Sequence, residues 1–275
     1  MPSLTIEQRT SPRDPQVDER SIVERHRVLW RRKPALASIY APWFDSVLVD
    51  IPRHARVLEV GAGPGFFSAY ARRVRPDLRW HTSDYLVVPG NDLVADAVQL
   101  PIRDASVGAV VGCDILHHLA RPGHFLAEAA RILQPQGSLL LLEPWLTCLS
   151  YPVYRFAHHE ECRPAVDPWQ PFEADETRGK QAFEGNAAVP WSMLRSASSD
   201  DWAAMGLEPP EIELYNGFTY LLSLGLRRPH LLPGRAATRA LLRFDRWSQP
   251  TARWFALRAR IRWPKPAARH EPDHP

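Results

Sequence analysis

The sequence predicts an α/β fold built on a doubly wound, mostly parallel sheet, and three observations carry that reading. Short apolar runs of strand character around residues 57–60, 78–84, 109–113 and 138–142 alternate with stretches of helical periodicity. The first run passes into a glycine-rich turn, Gly61-Ala62-Gly63-Pro64-Gly65, that opens a helix. Acidic residues, Asp84 and Asp114 among them, stand at the ends of successive runs, where an open parallel sheet binds its ligands.

The strand Arg56-Val57-Leu58-Glu59-Val60 carries Val57, Leu58 and Val60, as a strand buried on both faces requires. The turn after it is spaced G-x-G-x-G. A dinucleotide site wants G-x-G-x-x-G, but Phe66 stands at the third-glycine position, so an NAD(P)-dependent oxidoreductase is an alternative rather than the leading reading. No Gly-Lys-Ser or Gly-Lys-Thr follows, which excludes a phosphate-binding P-loop. The shorter turn suits an amino acid joined to a nucleoside. Asp84, about 20 residues further on at the end of the second strand, is placed to accept hydrogen bonds from both ribose hydroxyls.

A chain of 275 residues with 45% hydrophobic content sustains one large domain with additions. With 34 basic against 31 acidic residues, and Lys33, Lys180 and Lys265 as the only lysines, the composition does not describe a nucleic-acid scaffold. Cys113, Cys148 and Cys162 are odd in number and lack metal-ligand spacing, and no leader precedes them. A reducing cytoplasm is therefore expected. No apolar run approaches the roughly 18 residues that cross a bilayer.

In chain order, residues 1–17 are expected to be disordered. Ile22, Val23, His26, Leu29 and Trp30 then fall at helical spacing up to Lys33-Pro34, and a second helix uses Leu36, Ile39, Tyr40, Phe44, Val47 and Leu48. Past the fourth strand come Asp114-Ile115-Leu116-His117-His118-Leu119, a helix over 122–133, and a fifth strand over 138–142 that ends in Glu143-Pro144-Trp145. Helices are predicted over 192–205, 218–232 and 236–247, and a sixth strand over 211–215. The stretch 254–263 alternates Phe255, Leu257, Ala259 and Ile261 with Ala256, Arg258, Arg260 and Arg262. That is strand periodicity, with the arginines read as solvated charge. A disordered tail over 265–275 is expected.

Residues 146–192 are long and aperiodic but dense in aromatic side chains, including Tyr151 and Tyr154, which fits a functional loop beside the ligand site. Its His158-His159-Glu160-Glu161-Cys162 run offers metal-ligand chemistry. Adjacent side chains diverge, however, and a site would need His117, His118 or Asp114 as partners, so no metal is expected.

From residue 57 to 145 the chain resembles class I S-adenosylmethionine (SAM) dependent methyltransferases. The resemblance rests on the acidic residue and G-x-G-x-G, on Asp84, on Asp96-Ala97 with Leu100-Pro101, and on Leu116-His117-His118-Leu119; Ile102 and Val107-Gly108 depart from the family pattern. Beyond that core the chain is similar to uncharacterised bacterial methyltransferases. The resemblance implies a Rossmann-like seven-stranded sheet whose antiparallel last strand inserts beside the fifth. It implies a helical lid over 18–50, a SAM-binding core over 51–145, a substrate-recognition insertion over 146–192, and the rest of the sheet with helical additions over 193–264. It implies SAM as cofactor, S-adenosylhomocysteine as product, and cofactor contacts from Glu59, Gly61, Ala62, Gly63, Gly65, Asp84, Asp96, Ala97 and Asp114.

The expected reaction is direct displacement of the methyl group onto a small-molecule acceptor, with an oxygen of a glycan or natural product favoured. His117, His118, His158 and His159 are candidate bases, and Tyr40, Trp145, Tyr151 and Tyr154 candidate substrate contacts. A SAM-binding protein that transfers no methyl is the alternative. Neither nucleic acid nor an integral membrane segment is expected. DNA amino-methylation is disfavoured because Asp114-Ile115-Leu116 occupies the place of an N/D-P-P-Y/F motif.

Overall fold

Val57, Leu58 and Val60 set β1 (Arg56–Val60) in the middle of a seven-stranded sheet of order β3-β2-β1-β4-β5-β7-β6 in a computed structural model that describes residues 15–158, 160–170, 185–226, 232 and 234–267. The strands β2 (Arg79–Asp84), β3 (Leu93–Val94), β4 (Val107–Cys113) and β5 (Leu133–Pro144) run parallel to β1. β7 (Ala256–Pro264) inserts antiparallel between β5 and β6 (Glu211–Asn216), as the resemblance implies. β1 pairs with β2 on one side and β4 on the other, so the strand order reverses there and a crevice opens at the carboxyl ends.

Both faces of the sheet are covered, and period-two alternation in β5 shows how. Leu139 and Leu141 join one core with Phe125, Leu126 and Trp263, while Leu140 and Leu142 join the other. The second core belongs largely to α2 (Pro34–Leu48), which starts on a proline with no N–H to lose and buries Leu36, Ile39, Tyr40, Trp43, Phe44, Val47 and Leu48. The buried Lys33 ammonium, between α1 (Pro15–Arg32) and α2, donates to the carbonyls of Ser223 and Gly225 and fastens the N-terminal helices to the C-terminal additions.

Several boundaries differ from expectation for local reasons. Residues 15–17 begin α1 instead of extending the expected tail, whose residues 1–14 lie outside the described set. The helix expected over 192–205 is two, Val189–Ser196 and Ser199–Ala204, because Ser198 caps the second: its hydroxyl accepts from the Asp201 N–H while Asp201 accepts from the Ser198 N–H. The helix expected over 218–232 ends at Ser223, where Leu224 and Gly225 turn left-handed. The last strand starts at Ala256, after a short helical turn at Ala252–Phe255. Lys265 is not part of a loose tail, since its Nζ donates to the carbonyls of Ala130 and Leu133; residues 268–275 lie outside the described set.

The arginines of β7 are the main correction, since Arg258 is 3% exposed rather than solvated. Alternation assigns residues to faces, but the face carrying Arg258 is covered by Tyr40 and Trp43 of α2. Arg260 pairs with Asp50 and Glu213, and Arg262 with Glu211. Among the described residues no helix is long and apolar enough to cross a membrane.

Trp263 is fully buried. Trp263→Ala is expected to cost about 3–5 kcal/mol of stability, read as a lowered urea midpoint at an unchanged slope.

Candidate active site

The glycine turn is built for close approach. Gly61 has φ +65°, and a Cβ there would stand 2.6 Å from Ile115 Cδ1, so a side chain would be strained and Ile115 would have to move. Gly65, at φ 81°, starts α3 (Phe66–Val74). Over this turn and the ends of β1, β2 and β4 lies a cavity of about 1000 Å³. Asp84 Oδ2 accepts from the Gly63 N–H at 2.7 Å and Oδ1 from the Leu86 N–H at 2.9 Å, which fixes the carboxylate beside the turn. Burial raises its pKa, opposed by the surrounding backbone N–H groups.

Glu59 closes the cavity from below, accepting from Trp80 Nε1 at 2.9 Å. Burial pushes its carboxyl up to about 8, a rise that the Trp80 bond only tempers. Asp114, in a left-handed conformation (φ 57°), accepts from Arg258 Nη1 at 2.6 Å. Burial opposes the charge on that guanidinium, but Asp114 together with Cys113, Tyr40 and Tyr220 outweighs it and raises the pKa.

A second group of ionisable side chains lines the same cavity. Leu116–His118 forms one tight 3-10 turn after β4. There the His117 Nδ1 lies 2.6 Å from Glu143 Oε2, and Glu143 Oε1 accepts from the Ile115 and Leu116 N–H groups at 2.9 and 2.8 Å. Glu160 approaches from the insertion. Its Oε2 is 3.3 Å from His117 Nε2 and 3.6 Å from His158 Nδ1, and its Oε1 is 3.6 Å from His118 Nε2. Burial disfavours the imidazolium at both 117 and 118, with opposite outcomes. At His117 the carboxylates of Glu143 and Glu160 overcome burial and raise the pKa to about 10. At His118 burial combines with the charge on His117 to lower it to about 4. Glu160 is itself buried, which alone would raise its pKa; the hydrogen bond from His117 and the three imidazoles bring it below the ordinary carboxylate range.

Most of the residues expected from the sequence meet here. Glu59, Gly61, Ala62, Gly63, Asp84, Ala97, Asp114, Tyr40, Tyr154, His117, His118 and His158 all line the cavity. Gly65 and Asp96 do not; Asp96 Oδ1 accepts from the Val98 N–H at 3.2 Å and shapes the loop that presents Ala97. Trp145 packs into the core below β5, with its N–H donated to the Leu257 carbonyl, and Tyr151 lies outside the cavity, 40% exposed. His159 falls outside the described residues. Sequence reasoning assigned no role to Glu143, read Arg258 as solvated charge, and set Glu160 in a run open to metal ligation, to substrate contact or base chemistry, or to a loop held by hydrogen bonds. A glutamate at the carboxyl end of β5, the register position of a ligand residue, was the available signal for Glu143.

The N-terminal helices roof the cavity. Ile22, Arg25 and His26 of α1 line it, Trp30 stacks on Phe66 at 4.1 Å, and Arg27 donates to the carbonyls of Pro89 and Pro64.

Residues 58–141 match the profile of the methyltransferase domain family. Over 134 residues the chain is 31% identical to an uncharacterised methyltransferase of Mycobacterium sp. (strain JLS), a match covering 45% of this chain and 50% of that one. The chain thus spans about half the length of the curated relatives it matches first. Over 47 residues, 17% of each chain, it is 45% identical to the 27-O-demethylrifamycin SV methyltransferase of Amycolatopsis mediterranei. In fold it is similar to a SAM-dependent methyltransferase of Thermotoga maritima, with a TM-score of 0.50 at 15% identity, covering 90% of this chain and 99% of the other.

Because folding raises the Glu59 pKa from 4.5 to about 8, its contribution to stability is complete below pH 4.5 and disappears as pH climbs through 8. Urea unfolding at pH 5, 7 and 9 is expected to show a decline on the order of a few kcal/mol that Glu59→Gln flattens.

Proposed function

Taking residues 58–141 as a methyltransferase domain, we propose that the chain moves a methyl group from SAM onto a hydroxyl of a small molecule seated against the histidine cluster. The observation that carries this reading is the Asp84 carboxylate, held by two backbone N–H groups beside a turn that a Cβ at Gly61 would obstruct. A carboxylate has about four acceptor sites, so Asp84 keeps capacity for a pair of ribose hydroxyls. The cavity, about 1000 Å³, has room for a nucleoside-bearing ligand and an acceptor together.

When bound, SAM supplies a sulfonium methyl that the acceptor oxygen attacks, forming an O–C bond as the C–S bond breaks and its electron pair stays on sulfur. The chain's part is placement, exclusion of water and handling of the proton. The α1–α2 pair over 18–50 acts as lid, since its side chains form the cavity roof. The insertion brings Tyr154, His158 and Glu160 to the wall opposite the glycine turn and serves acceptor recognition. Within this cluster the imidazoles of His118 and His158 receive the acceptor's proton, since His117 already carries one. An oxygen acceptor is favoured because a hydroxyl gives up its proton as it is methylated and the cluster offers imidazoles to take it, and the O-methylating relative from Amycolatopsis agrees with it. A roofed cavity also favours a small molecule over a nucleic acid.

Thermal unfolding with SAM, S-adenosylhomocysteine, NAD and NADP in parallel tests the reading. The adenosyl ligands are expected to add about 2.7 kcal/mol at a hundredfold excess over the dissociation constant, and Asp84→Ala to abolish the gain. Protection by NAD or NADP alone would refute the assignment. Tight SAM binding that never yields S-adenosylhomocysteine with any hydroxylated acceptor would leave a binding protein instead.

A further inference from the structure

The cluster that faces the acceptor also has the composition and spacing of a metal centre. We propose that His117, His118 and Glu160 bind one divalent cation of the Zn²⁺ type, with a coordination position open to the cavity. The role given to the cation rests on the methyl-transfer reading; the site itself does not.

One donor atom from each of the three side chains lies within 4.8 Å of the others. Glu160 Oε2 stands 3.3 Å from His117 Nε2, and its other oxygen, Oε1, 3.6 Å from His118 Nε2. The first separation is close to the edge of a tetrahedron around an ion about 2.0–2.1 Å from its ligands, an edge of about 3.3–3.4 Å, while the second reaches the other oxygen of the same carboxylate. Adjacent residues normally diverge, but the tight turn at Leu116–His118 brings the two imidazoles to a centroid distance of 4.1 Å with a 39° tilt.

The surroundings orient a ligand set. Glu143 Oε2 lies against His117 Nδ1 while Oε1 is held by two backbone N–H groups. With a cation bound in place of the Nε2 proton, this arrangement would keep the ring proton on Nδ1 and turn the Nε2 lone pair to the ion, as in the carboxylate–histidine–metal arrangement. His158 Nδ1 buttresses Glu160 from the rim at 3.6 Å. Asp114, His117 and Glu143 also stand within 4.8 Å, but Asp114 is engaged by Arg258 and Glu143 by the backbone. Two imidazoles and one carboxylate with an open position suit Zn²⁺, Fe²⁺ or Co²⁺ better than Mg²⁺ or Ca²⁺, which prefer all-oxygen sets. A cation here supplies Lewis acidity to a hydroxyl in the open position, lowering its pKa as zinc lowers that of water. The released proton then goes to His158.

The full chain, stripped with a chelator, would be titrated with Zn²⁺, Co²⁺ and Mg²⁺ by calorimetry and assayed for metal content. One equivalent of Zn²⁺ and a visible Co²⁺ absorption band are expected, with Mg²⁺ far weaker. His118→Ala and Glu160→Gln should weaken Zn²⁺ binding at least a hundredfold and Glu143→Gln ten- to a hundredfold. No uptake by the wild type, or affinity unchanged in His118→Ala and Glu160→Gln, would overturn the proposal. If those variants do not fold, the wild-type Co²⁺ spectrum decides: a band supports the site and its absence refutes it. Cation uptake without SAM binding would remove the methyl-transfer reading and leave the site, whereas SAM binding without uptake would remove the site alone.

Discussion

The hydrogen bond from the Gly63 N–H to the Asp84 carboxylate joins the carboxyl ends of β1 and β2, and the rest of the site is arranged around it. The turn that presents the Gly63 N–H passes through Gly61 in a left-handed conformation against Ile115, where a side chain would be strained and Ile115 would have to shift. Ile115 in turn heads the turn carrying His117 and His118, so one packing contact sets both the glycine loop and the histidines. Strand order reverses between β1 and β4, and the two halves of the site therefore open into one crevice.

Beneath that crevice the protein buries charge where a purely structural sheet would bury leucine. Glu143 is 0% exposed and satisfied by three donors. Arg258 is buried opposite Asp114 with Trp43 beneath it. Removing either partner of such a pair would leave an uncompensated charge, at a typical cost of about 3–5 kcal/mol. Such groups are expensive to bury and cluster at the sites that do chemistry. Here Asp114 and Arg258 line the cavity, and Glu143 lies behind it, holding the turn that carries His117.

The first half of the fold was legible because its signals are local. Val57 to Phe66 states strand, turn and helix in ten consecutive residues, and Asp84 follows at a characteristic distance. Period-two alternation likewise located β7, yet it misread Arg258, since periodicity assigns a face without saying what covers it. The helix break before Ser198 was encoded in Ser198 and Asp201, a capping pair hidden inside an otherwise helical pattern. The histidine cluster was least legible. Its members come from the turn after β4, the end of β5 and the insertion, and no sequence spacing tells that Glu160 reaches His117 and His118. Trp145, an aromatic at the end of β5, looked like a ligand contact but faces the core.

The most direct measurement is the structure of the chain crystallised with S-adenosylhomocysteine. The account predicts the ribose hydroxyls on the Asp84 carboxylate, the adenine beside Ala97 and the sulfur directed toward the wall formed by His118, His158 and Glu160. An adenosyl group bound away from Asp84, or a sulfur turned from the histidine wall, would contradict it.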